Sequence, residues 1–148
     1  MLTIVEKVIF LQDVEEFEYA TTEDLAHIAT ITDEVTFKPA AIIYREGEVS
    51  DSMYMVIEGS VRLDRSGEEV LTAKHKDVFG TWALFDDAPR MLTATALEET
   101  RLLRIEREDF YDILADHMKI TEGILKSITK RWRALAGRVG SDPAAGTP

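Results

Sequence analysis

The sequence has no cysteine. Disulfides, thiolate zinc sites, iron–sulfur ligation and a cysteine nucleophile are therefore excluded together. It also has no apolar run approaching the roughly 18 residues of a membrane span. Its first ten residues lack a basic n-region, and Glu6 and Lys7 interrupt the one apolar stretch there, so no signal peptide is read and the expectation is a cytoplasmic protein. Positive charge is scarce: 17 Lys and Arg stand against 28 Asp and Glu, a net charge of −11. Duplex DNA is not expected as a partner, because phosphate binding needs a basic surface. G-x-S-x-G, P-loop and G-x-G-x-x-G patterns are absent. His27, His75 and His117 have no metal-ligand spacing. The adjacent carboxylates Asp86-Asp87 and Glu98-Glu99 would point apart on a strand or turn. No enzyme, metal or cofactor is expected from these residues.

What remains is the composition of one folded domain: 148 residues, 45% hydrophobic and 30% charged. The expected organisation is a single domain over residues 1–139, with helices over 3–30, a β barrel over 35–105, helices over 107–139, and a disordered tail over 140–148. Thr3-x-x-Glu6 is a capping-box pattern, and Thr21 or Thr22 can cap a second helix through Leu25, Ile28 and Ala29. The acidic stretch from Asp13 to Ala20 reads as a connector. Val35–Phe37, Ile42–Tyr44, Met53–Ile57, Val61–Leu63, Val70–Thr72, Leu92–Leu97 and Arg101–Ile105 read as strands, with Ser66-Gly67 as a hairpin turn. Many short strands in so short a span favour a barrel or jelly roll. Phe110, Ile113 and Leu114 fit one short helix. From about Lys119 a second helix carries Leu125, Ile128, Trp132, Leu135 and Val139 at alternating spacings of three and four, a coiled-coil-like seam. The seam either packs on its own domain or pairs with a second copy. Charge is polarised: residues 1–36 carry nine acids against Lys7, and residues 119–138 carry six bases against Glu122. Solvated helix faces or mutual attraction of the two ends would both account for it.

One segment has the chemistry of an anion cradle. In Val78-Phe79-Gly80-Thr81-Trp82-Ala83-Leu84-Phe85 a strand ends at Gly80 and a short helical turn follows, offering unpaired N–H groups. Downstream, Arg90 can add a charge-assisted fork to phosphate oxygens. Read structurally instead, Arg90 would pair with Asp86 or Asp87, Thr81 would cap the short helix, Phe79, Ala83, Leu84 and Phe110 would be core, and Gly47, Gly59 and Gly67 would make turns.

Together, Phe79, Gly80, Ala83, Leu84, Pro89, Arg90 and Thr93 resemble the phosphate-binding cassette of the cyclic-nucleotide-binding domain family, F-G-E-x-A-L followed by P-R-x-A-T. That family includes protein kinase A regulatory subunits, the catabolite activator protein and cyclic-nucleotide-gated channels. Arg45-Glu46-Gly47-Glu48, Asp51, Tyr54 and Glu58-Gly59 match a second family signature, and Leu102 to Phe110 a third. The resemblance implies an α+β fold, a β jelly-roll barrel flanked by N-terminal and C-terminal helices. It implies a ligand held by Gly80, Thr81, Trp82, Ala83, Arg90 and Met91, its phosphate on the N–H groups of residues 82–84 and on Arg90. The cassette departs from the pattern. Thr81 stands where the family has a glutamate that accepts the ribose 2′-OH, Met91 and Leu92 replace small residues, and Ala40 stands where a glycine precedes the second strand. Met91 offers guanine no hydroxyl, so cyclic AMP is expected over cyclic GMP. Two functions follow from the resemblance: a regulatory sensor transmitting occupancy through its C-terminal helices, or a degenerate module serving protein interaction. Trp132 is then either a seam residue or a lid stacking on the base, and a protein partner or homodimer through the last helix is expected.

Overall fold

The structure, a computed structural model, describes residues 1–139; the expected tail over 140–148 lies outside them. Helix α1 (Ile4–Leu11) begins at the predicted capping box, Thr3 Oγ1 accepting from Glu6 N at 3.2 Å and Glu6 returning the bond to Thr3 N. Helix α2 (Thr22–Ala29) repeats the device with Thr21 as the cap and Asp24 as its reciprocal partner. The connector between them contains a 3-10 turn, Glu15–Phe17, whose Phe17 is buried.

Eight strands follow: β1 (Thr32–Phe37), β2 (Ile42–Tyr44), β3 (Ser52–Glu58), β4 (Val61–Arg65), β5 (Glu68–Ala73), β6 (Val78–Phe79), β7 (Thr93–Ala96) and β8 (Thr100–Glu106). They form two antiparallel four-stranded sheets of order β1-β8-β3-β6 and β2-β7-β4-β5, a jelly-roll arrangement. Ser66 and Gly67 both take positive φ in the β4–β5 hairpin, as its two-residue turn requires. Strand β1 starts three residues before the expected Val35. It is an edge strand, and its Asp33 and Glu34 are tolerated there because Arg104 and Arg101 of β8 lie 3.6 and 3.8 Å from them. Ala40 occupies the left-handed region at φ 70°, the conformation for which a glycine would be preferred.

Strand β3 explains why both faces of its sheet are dry. Met53, Met55 and Ile57 face the helices with Leu11, Ile28 and Phe110, while Tyr54 and Val56 face the roll interior with Val61, Leu63 and Phe79. The two hydrophobic clusters are thus opposite faces of one sheet, within one domain.

Helix α3 (Arg107–Asp116) buries Phe110, and α4 (Met118–Val139) follows directly. The expected seam is not what α4 buries. Ile120, Ile124 and Ser127 face inward, whereas Leu125, Ile128, Trp132 and Leu135 are exposed, Trp132 at 69%; nothing is described of the Val139 side chain. The reason is the connector under the helix. Ser127 Oγ donates to Glu15 O at 2.9 Å, and Arg131 pairs with Glu15 and Glu16, Lys130 with Glu18. The acidic connector and the basic helix do meet, and with Ile120 and Ile124 packed into the helical core the apolar seam is left facing outward. Gly123 admits Tyr19 here: a Cβ would lie 3.2 Å from the Tyr19 Cβ.

Candidate functional site

The cassette is positioned by packing below it. Strand β6 pairs with β3 through Tyr54–Phe79 and Met55–Val78, which delivers Gly80 to the rim of the roll. Gly80 is left-handed at φ 71°, and a Cβ there would sit 2.7 Å from Arg90 Nη1, so glycine is needed for both conformation and space. A 3-10 turn over Thr81–Leu84 follows, held down by buried Ala83 and Leu84. Gly80, not Thr81, caps this turn, and no side chain takes part. The N–H of Ala83 is already donated to Gly80 O at 3.1 Å. Within the Thr81–Leu84 turn the N–H groups of Thr81 and Trp82 donate to no described group, one position earlier than the sequence pattern implied. Trp82 and Met91 are exposed, at 71% and 53%.

Arg90 is fastened at both ends. Its N–H donates to Glu48 O and its carbonyl accepts from Gly47 N, each at 2.9 Å, so the backbone is clamped to the β2–β3 turn. The side chain runs inward and is only 5% exposed. Its Nη2 donates to Ser52 O at 2.7 Å, and its guanidinium lies 3.9 Å from the centroid of the Tyr44 ring. The expected alternative partners Asp86 and Asp87 do not meet it; the nearest carboxylate is Asp51, at 3.9 Å. The Nε has no hydrogen-bond partner and Nη1 donates to no described group. A buried guanidinium with unused donors has capacity for an anion.

Arg90, Gly80, Thr81, Trp82, Ala83 and Met91 all line one cavity of about 540 Å³, within the size range of small-ligand sites. Leu63, Leu71, Val78 and Leu92 provide an apolar wall suited to an aromatic group. Thr81, a neutral hydroxyl residue, lines this space as well. Trp132 is not among the lining residues, because α4 lies over the connector at the other side of β3. Among the described residues, no three His, Cys, Asp or Glu are grouped to hold a metal, and no helix is long and apolar enough to cross a membrane. His27 and His117, remote in sequence, are brought into a stack with centroids 4.1 Å apart.

Two residues of this neighbourhood were missed in the sequence. Tyr44 was read only as a strand residue; it lies beneath Arg90 and lines the cavity. Arg107 opens α3, and its Nη1 donates to Ser50 O at 2.7 Å and to Ala83 O and Asp86 O at 2.9 Å each, tying cassette and β2–β3 turn to the helix. A signal existed: a cation in the first turn opposes the helix dipole, so its side chain has work elsewhere.

The model of the family described as "Cyclic nucleotide-binding domain" matches residues 34–117, more than half of the chain. A CRP-like cAMP-activated global transcriptional regulator of Mycobacterium tuberculosis is 32% identical over 104 residues, covering 67% of this chain and 46% of the regulator. The chain thus spans less than half the length of that relative. The crystal structure of the N-terminal domain of a transcriptional regulator from Streptomyces coelicolor A3(2) superposes with a TM-score of 0.81 at 27% identity, covering 85% of this chain and 94% of that one. The regulatory domain of Toxoplasma gondii PKA with cAMP shares the fold, with a TM-score of 0.71 at 23% identity over 86% of this chain and 50% of that one. The signatures read in the cassette, the jelly roll around it and these likenesses agree: the chain belongs to the cyclic nucleotide-binding domain family.

Proposed function

We propose that the chain is a sensor that binds a cyclic nucleotide in the cavity beside Arg90, cyclic AMP in preference to cyclic GMP. The phosphate sits on the Arg90 guanidinium and on the free N–H groups of Thr81 and Trp82, and the base lies along Leu63, Leu71 and Leu92, with Met91 at its edge. The buried Arg90 with unused donors, lining a cavity of ligand size, carries this reading. Occupancy would reach α3 by two contacts: the Arg107 bonds to the cassette carbonyls and the edge-on packing of Phe85 against Phe110, centroids 6.2 Å apart.

Thr81 supports a second reading, a module that has kept the roll and lost the ligand. Calorimetry separates the two. On the sensor reading wild type binds cyclic AMP, and Thr81→Glu restores a charged acceptor for the 2′-OH and tightens binding by about 10- to 100-fold. The added carboxylate stands at the start of a helical turn, where negative charge is tolerated. If neither protein gives heat with cyclic AMP or cyclic GMP, the interaction module replaces the sensor.

The exposed seam of α4 supports a second copy of this chain as a partner of that helix. Leu125, Ile128, Trp132 and Leu135 lie along one side and are uncovered in the single chain. Sedimentation at micromolar concentration is expected to give a dimer, and Leu125→Lys a monomer. A wild type that sediments as a monomer rejects this pairing.

A further inference from the structure

We propose that Tyr44 is a ligand-binding residue, its phenol O–H donating a hydrogen bond to a phosphate oxygen of the nucleotide held by Arg90. The inference rests on the reading of the cavity as a cyclic-nucleotide site, and adds a donor from β2, outside the cassette.

Tyr44 ends β2 with its side chain turned into the roll, and only 8% of the residue is exposed. Its ring packs beside Tyr54 and Phe79, with centroids 6.2 Å from each. Packing accounts for the ring but not for the hydroxyl. Phe79 fills the adjoining place without one, and the hydroxyl of Tyr54 accepts from Ser52 Oγ at 3.3 Å. The Tyr44 hydroxyl makes no hydrogen bond to any described residue, and it is not sealed in the core: it keeps accessible surface on a residue that lines the cavity, so its donor is free for a ligand there. A phosphate oxygen that meets this free donor in the cavity accepts a charge-assisted hydrogen bond from it.

Its position says which ligand atom it would meet. A Cβ placed on Gly80 would be 3.4 Å from the Tyr44 hydroxyl and 2.7 Å from Arg90 Nη1. Hydroxyl and guanidinium therefore converge on one side of Gly80, where the free N–H groups of the cassette begin. Three kinds of donor around one point suit a tetrahedral oxyanion, whose several oxygens each accept. Burial pushes the phenol up to about 12, more than Arg90 beside it pulls it down, so it remains a neutral donor at physiological pH. With Thr81 in place of a carboxylate, no anion on the cassette turn competes for it.

The test is calorimetric titration of wild type and Tyr44→Phe with cyclic AMP and with its Rp and Sp phosphorothioates. Tyr44→Phe keeps the ring beneath Arg90 and removes only the donor. Cyclic AMP should bind it about 10- to 100-fold more weakly than wild type. Sulfur is a poor acceptor, so for the diastereomer that places sulfur at the contacted oxygen the difference between the two proteins should shrink. Equal affinity of both proteins for cyclic AMP overturns the inference and leaves the cavity reading standing. An equal loss with both diastereomers overturns the phosphate contact. A wild type that binds no cyclic nucleotide overturns the inference and the cavity reading together. Should Tyr44→Phe fail to fold, carbon-13 labelling of tyrosine in wild type serves instead: the Tyr44 ζ-carbon resonance should move on saturation with cyclic AMP, and a resonance that stays in place overturns the contact.

Discussion

Arg90→Ala should abolish cyclic-nucleotide binding, a loss of at least about 100-fold in calorimetric affinity. The expectation follows from where the charge sits. The guanidinium is nearly sealed from solvent and its closest carboxylate, Asp51, is 3.9 Å away and largely exposed. Its positive charge is thus weakly compensated within the protein, and a phosphate arriving at Nε and Nη1 meets a desolvated partner, for which a charge-assisted bond is strongest. Nothing else lining the cavity near Gly80 carries positive charge; Arg65 lies across it on β4. The loop should survive the substitution, because the backbone of residue 90 is held to Glu48 and Gly47 without help from the side chain. Arg90→Lys should fall between wild type and alanine, keeping charge but losing the fork. Wild-type affinity in Arg90→Ala would place the ligand elsewhere.

Phe110→Ala should be the most destabilising single truncation of the helical side, costing about 3–5 kcal/mol. The ring is fully buried and lies between three separately placed segments. Phe17 of the connector is tilted against it at 6.1 Å, Phe85 of the cassette meets it edge-on at 6.2 Å, and α3 carries it. No single neighbour can move in to refill the space, since each is fixed by a different element, so most of the cavity would persist. Urea unfolding should show the loss, with a thermal midpoint lower by on the order of 10 °C. Phe110→Leu should cost much less. A loss below about 1 kcal/mol for the alanine variant would mean that the segments repack freely, and the Phe85–Phe110 contact could then not carry a signal.

The local devices were legible in the sequence because short-range chemistry decides them. The Thr3 and Thr21 caps and the Ser66-Gly67 turn each depend on residues a few positions apart. The cassette was legible for the same reason: Gly80 is required by its own φ, and Ala83 and Leu84 by the turn they close. These residues determined an α+β chain with a roll between helices and the Gly80 turn at its rim.

Tertiary structure decided what depended on partners distant in the chain. The 3-4-3-4 pattern of α4 named an apolar stripe, but periodicity does not say which stripe is covered; the core formed with Val14, Phe17 and Phe110 took the face of Ile120 and Ile124, and Glu15, Glu16 and Glu18, more than a hundred positions away, meet the basic side of the same helix. Read structurally, Arg90 would have paired with its sequence neighbours Asp86 or Asp87, yet the β2–β3 turn brought Asp51, Ser52 and Tyr44 to it. Arg107 looked like an ordinary helix residue until the fold set three carbonyls around it. The sequence alone named the turn after Gly80 and Arg90 as candidates to hold an anion. The folded roll decided which of them remain unpaired, because a buried donor is free only when every long-range neighbour that could satisfy it has been placed elsewhere.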